Sequence, residues 1–179
     1  MNALTNEQVG QYLNRHFVSA FQKVATFQIL GRQKQGGNVA TYFCTPCGRV
    51  LHAVAGPVNA AVFLREARWA NETYQLAQLE NQDPARLQAF FRQAHLERMQ
   101  REHNAVLPQE RLPRPDTVSR KLLEQVFVLN QQMPLENQGK VHLLLTVAPT
   151  PPLGQVYQVV FDKILNEKVS TEPVKVAGR

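Results

Sequence analysis

The tightest constraint on the fold comes from residues 39–57, where two apolar runs are separated by a short turn. Val39, Ala40, Thr41, Tyr42 and Phe43 make the first run; Arg49, Val50, Leu51, His52, Ala53, Val54 and Ala55 make the second. Cys44, Thr45, Pro46, Cys47 and Gly48 lie between them. Proline presets φ at a turn and glycine supplies positive φ, so the segment predicts a β-hairpin. Gly56-Pro57 then stops the second strand. A helix is expected over 59–78, with Ala61, Leu64, Ala67, Trp69 and Tyr74 facing inward.

Upstream, Thr5 is placed to cap a helix, with Gln8 completing a capping box. Val9, Tyr12, Leu13 and Phe17 follow at helical spacing. Residues 24–30 are rich in β-branched and aromatic side chains and read as a strand, and 31–37 as a polar, glycine-containing connection. Downstream, Asp83-Pro84 marks a helix start. Leu87, Phe90, Phe91, Ala94 and Met99 carry its apolar stripe to about His103. Three prolines make 107–115 a linker or extended crossing. Asp116 or Thr117 caps a further helix through 129. Residues 141–147 read as a strand ended by Pro149, Pro151 and Pro152, followed by a helix over 154–166. The last residues, 172–179, are expected to fray.

The 179 residues suffice for one domain, or for a small domain with an extension. No stretch approaches the roughly 18 apolar residues of a membrane span. MNALTNEQVG lacks the basic start and apolar core of a signal peptide, which predicts a cytoplasmic protein. Two cysteines cannot build a disulfide framework for a chain of this size. The net charge is +6. Arg86, Arg92, Arg98, Arg101, Arg111, Arg114, Arg120 and Lys121 are interspersed with Glu97, Glu102, Glu110 and Asp116, the pattern of a solvated helix face. Few aromatics alternate with these charges, so a stacking platform for single-stranded nucleic acid is poorly supported.

The order from Asn38 onward (strand, tight turn ending in glycine, strand, Gly56, amphipathic helix) resembles the final β-β-α unit of thioredoxin-like proteins. The segment NEQVGQYLNRHFV resembles the helix that leads into that family's central strand. The resemblance covers residues 5 to about 78. It implies a mixed sheet flanked by helices, but three features depart from the family. Its redox Cys-x-x-Cys and first strand would fall before Thr5. Its cis-proline is replaced by Gly37-Asn38-Val39. The Cys44-Thr45-Pro46-Cys47 that is present falls in a hairpin turn, which lacks the aligned amides that depress a thiol pKa at a helix start. The order of 141–166, strand then proline-rich loop then helix, matches the family's missing first strand and helix. On that reading residues 141–147 complete the sheet; on the plainer one they are an added strand.

Three readings of the cysteines stand side by side: two structural neighbours, a reversible disulfide between Cys44 and Cys47, or a metal site formed by Cys44, Cys47 and His52. Of the other histidines, His142 reads as a satisfied residue of an apolar strand, and His95 and His103 as solvent-facing. No phosphate-cradling loop, nucleophile elbow or His-Glu-x-x-His pair is present.

The sequence thus predicts an α/β protein. Residues 1–80 form a thioredoxin-like region, and 81–179 a mainly helical extension with one further strand at 141–147. The expected function is a non-catalytic, redox-inactive module that uses no cofactor and binds a protein or peptide through a sheet edge or groove. The alternatives are a thiol-disulfide oxidoreductase or redox sensor using Cys44 and Cys47, and a basic nucleic-acid adaptor.

Overall fold

The computed structural model describes residues 3–23, 38–80, 83–107 and 135–169, together with the backbone of 27–30, 33–36 and 175–176. The linker at 108–115, the helix expected over 116–129 and most of the tail lie outside the described residues. The described chain is α/β and mostly helical, and none of its helices is long and apolar enough to cross a membrane.

A 3₁₀ turn, Ala3–Thr5, leads into α1, Glu7–His16. The helix is capped by Asn6 rather than Thr5: Asn6 Oδ1 accepts the Val9 N–H at 3.2 Å, and the 3₁₀ turn absorbs Thr5. Strand β1, Phe27–Leu30, pairs antiparallel with β2, Gln33–Gly36, and parallel with β5, Lys175–Val176. Strand β2 was expected as a connection. It is an edge strand in the order β2-β1-β5, held by backbone hydrogen bonds, so it shows no apolar alternation.

The hairpin forms as expected from β3, Ala40–Cys44, and β4, Val50–Ala55. Thr45 and Gly48 close the turn through a 2.9 Å hydrogen bond, and Gly48 takes φ 76°. Among the described residues β3 and β4 form a sheet of their own, separate from β2-β1-β5. Helix α2, Ala60–Glu80, follows directly and gives the local β-β-α order. Its inward face is Phe63, Glu66, Ala67, Ala70, Thr73 and Ala77, whereas Ala61 is exposed. Helix α3, Pro84–His103, starts at the Asp83 cap as expected and ends on Asn104 in the left-handed region.

The largest correction concerns residues 141–147. They belong to a helix, α4, Asn137–Val147, and every residue from Val141 to Val147 is buried. Its buried part, residues 141–147, is apolar apart from His142 and Thr146 and has no polar face, so it mimics a buried strand. Three consecutive leucines, Leu143 to Leu145, favour the helix. This segment therefore does not complete the sheet. The proline-rich loop after it lies along the hairpin instead. Val50 N donates to Pro151 O at 2.8 Å, Leu153 N donates to Gly48 O at 3.0 Å, and Arg49 bridges to Pro152. Helix α5, Leu153–Val159, runs into a π-helical turn, Val160–Ile164.

The largest apolar cluster joins Val50, Ala53 and Ala55 of β4 to Val141, Leu144 and Leu145 of α4 and to Val160 and Phe161. A second joins Val9, Phe43, Val54, Phe63, Ala67 and Ala70. Strand β4 thus carries packing on both faces, and all six of its residues are buried.

Candidate metal centre

Where α2, α3, α4 and β4 meet, the core is polar. His52 of β4, Glu66 of α2, His95 and Arg98 of α3 and His142 of α4 are all fully buried or nearly so. The α3 residues arrive there by helical periodicity: Phe91, His95, Arg98 and Met99 are its buried stripe. His95 and Arg98 are therefore core residues. The solvent-facing expectation for His95 and His103 is corrected, since the His103 side chain is only 8% exposed. A reading of α3 from its apolar residues alone misses His95, although it lies four residues from both Phe91 and Met99. His142, expected on a strand, is buried on a helix.

Glu66 organises one side of the cluster. Its Oε2 lies 2.8 Å from His52 Nε2, and its Oε1 accepts from Arg98 at 2.7 Å and from Arg65 at 3.0 Å. Burial pushes the Glu66 carboxyl up, but the His52 hydrogen bond and the Arg98 charge outweigh it and bring the pKa down to about 2. Arg98 also donates to Glu102 at 2.8 Å and stacks its guanidinium 4.7 Å over the Trp69 ring. Burial drives the His52 imidazole below its ordinary range despite Glu66, and holds His95 and His142 well below it. The three rings are therefore neutral.

Neutral rings make the tautomers readable. A carboxylate only accepts, so His52 Nε2 carries its proton and Nδ1 a lone pair. His95 Nε2 lies 3.0 Å from the Leu51 carbonyl oxygen and donates to it, which leaves a lone pair on His95 Nδ1. His142 Nδ1, 2.8 Å from that nitrogen, must be the donor, so His142 Nε2 is left bare. His52 Nδ1 and His142 Nε2 are both buried with no hydrogen-bond partner among the described residues. Burying polar nitrogens this way costs about 1–3 kcal/mol each.

One nitrogen from each of His52, His95 and His142 lies within 4.8 Å of the others. Tetrahedral zinc, with Zn–N bonds of about 2.0–2.1 Å, holds its donors about 3.3 Å apart, so binding requires the rings to rotate and frees the His95 Nδ1 lone pair from its hydrogen bond with His142. Glu66 behind His52 is the carboxylate–imidazole arrangement that orients a metal-binding histidine. All-nitrogen donors suit zinc and its first-row neighbours rather than calcium or magnesium. Among the described residues this is the one such group of histidine, cysteine or acidic ligands.

Cys44 and Cys47 are not part of it. His52 pairs across the hairpin with Phe43, while Cys44 pairs with Val50 and packs against the largest apolar cluster. Burial raises the Cys44 thiol to about 11. Cys47 sits exposed on the turn, its Sγ 3.1 Å from Thr45 Oγ1, and that hydrogen bond lowers its pKa. Both thiols are free.

No protein-family model, curated protein or solved structure matches this chain.

Proposed function

We propose that this protein binds one first-row divalent cation, zinc foremost, through His52, His95 and His142, and that the cation staples β4, α3 and α4 together. The observation that carries this reading is the pair of buried, unpartnered imidazole nitrogens, His52 Nδ1 and His142 Nε2. A cation would satisfy both. Three imidazoles leave the fourth position of a tetrahedral ion to water. That is the ligand set of an open site; the stapling role rests on the burial of the three rings between β4, α3 and α4. Metal-free full-length protein titrated with Co²⁺ should develop the visible absorption of a tetrahedral site at one ion per chain, and Zn²⁺ should abolish it. Wild-type protein that binds neither ion would end the proposal.

A second reading, compatible with the first, is a non-catalytic thioredoxin-like module that binds a protein or peptide. It is supported by the order β3-β4-α2 and by the full exposure of Val18 and Phe21 after α1. Replacing both with serine should weaken partner capture without changing cation binding. Equal capture by the variant would remove this support.

A further inference from the structure

A buried site needs a way in, and one feature beside the cluster is built like a smaller copy of it. His103, the last residue of α3, places Nδ1 3.5 Å from Oε1 of Glu136, which is 75% exposed. Its Nε2 is buried with no hydrogen-bond partner among the described residues. This repeats the pattern of Glu66 and His52, with a carboxylate beside one nitrogen and no partner on the other. The His103 ring lies 5.8 Å from that of His142, which in turn lies 5.0 Å from His52 and 5.1 Å from His95. A line of imidazoles thus runs from an exposed carboxylate to the trihistidine cluster.

The surroundings of His103 hold it in that line. Gly139 stands opposite the ring, where a Cβ would come within 3.3 Å of His103 Cγ and 3.1 Å of Leu135 Cβ. Any larger residue there would push the imidazole away from α4. Glu136 opens onto a cleft of about 380 Å³, shared with Gly56, Pro57 and Gln138. Gln138 forms part of the wall between cleft and cluster: its Nε2 donates to Ala53 O at 2.8 Å and lies 3.3 Å from His52 Nε2. The carboxylate also offsets the positive end of α4, which would otherwise repel a cation.

We infer that Glu136 and His103 form an outer docking station from which a divalent cation passes to His142 and then to the trihistidine site. This rests on the metal-binding reading above. Moving from ligand to ligand spares the cation the cost of crossing a low-dielectric interior without partners. Carboxylate and imidazole are both ordinary ligands for zinc-like ions.

The test compares full-length wild type, Glu136→Gln and His103→Leu. Stopped-flow mixing with Co²⁺ reads loading, and mixing of loaded protein with EDTA reads stripping. Both variants should load and strip more slowly, by about tenfold, with the equilibrium affinity unchanged within about threefold. Unchanged rates in both variants, with normal binding by wild type, would overturn the route and leave the trihistidine site standing. An affinity loss in His103→Leu as deep as that of His142→Leu would make His103 a ligand, and would overturn the route as well. Wild type that binds no Co²⁺ removes both proposals. Glu136 makes no side-chain cap hydrogen bond, so its glutamine variant leaves α4 intact and decides the matter even if His103→Leu folds poorly.

Discussion

Glu66 Oε2 and His52 Nε2 lie 2.8 Å apart with both side chains wholly removed from solvent. This one contact joins the hairpin to α2 and turns His52 so that its other nitrogen faces inward, bare. It also supplies the negative charge that permits Arg98 to be buried. Replacing Glu66 with glutamine keeps an acceptor for His52 but leaves Arg98 short of its buried counter-charge. Denaturant unfolding should show a loss of about 3 kcal/mol, the scale for breaking a buried ion pair. Cation affinity should fall about 10–100-fold. A variant as stable as wild type would mean that Glu102 alone neutralises Arg98.

His142→Leu separates the structural from the metal-binding role of the cluster. The substitution removes one unpartnered nitrogen, His142 Nε2, and creates another at His95 Nδ1. In metal-free protein these nearly cancel, and stability should change by less than about 1 kcal/mol. With Zn²⁺ at a hundred times its Kd, wild type should gain about 2.7 kcal/mol and the variant nothing. Equal zinc stabilisation of both proteins would show that His142 is not a ligand.

Acid should weaken the metal-free fold early. The three buried histidines titrate below their ordinary 6.5, so below that pH the unfolded chain binds protons that the folded chain refuses. Stability is therefore complete above about pH 6.5 and declines as pH falls. Each histidine that stays neutral contributes up to about 1.4 kcal/mol per pH unit. Glu66, lowered from 4.5 to about 2, adds a further loss only below its unfolded value of 4.5. Urea midpoints measured from about pH 8 to pH 4 should start to drop near 6.5. A flat profile down to about pH 5 would contradict neutral burial of the cluster.

The two cysteines should differ sharply in reactivity. The Cys47 thiol is exposed and lowered by its Thr45 hydrogen bond, whereas burial raises Cys44 to about 11. At neutral pH iodoacetamide should modify Cys47 at least about tenfold faster. Thr45→Ala should raise the Cys47 pKa and slow its labelling. Equal rates, read by peptide mass, would show that the turn does not distinguish the thiols.

The hairpin and the two helices at Ala60–Glu80 and Pro84–His103 were legible because their signals are local. Pro46 and Gly48 encode the turn and Asp83-Pro84 a helix start, whereas apolar spacing found Ala67, Phe91 and Met99 but missed the buried Phe63, Glu66, His95 and Arg98. The separation of β3-β4 from the other strands was not legible, because strand partnership depends on distant residues. Nor was the trihistidine cluster: His52, His95 and His142 are 43 and 47 positions apart, and no short spacing links them. Had the stripe of α3 been read by position rather than polarity, His95 would have stood out, but its partners would not. Helical periodicity places Phe91, His95 and Met99 of α3 on one face. Only the packing of α2, α3 and α4 against β4 decided that the inward residues there are imidazoles, a carboxylate and a guanidinium. Charges and rings can satisfy one another only once the backbone has brought them within hydrogen-bond distance, and that convergence is a property of the whole fold.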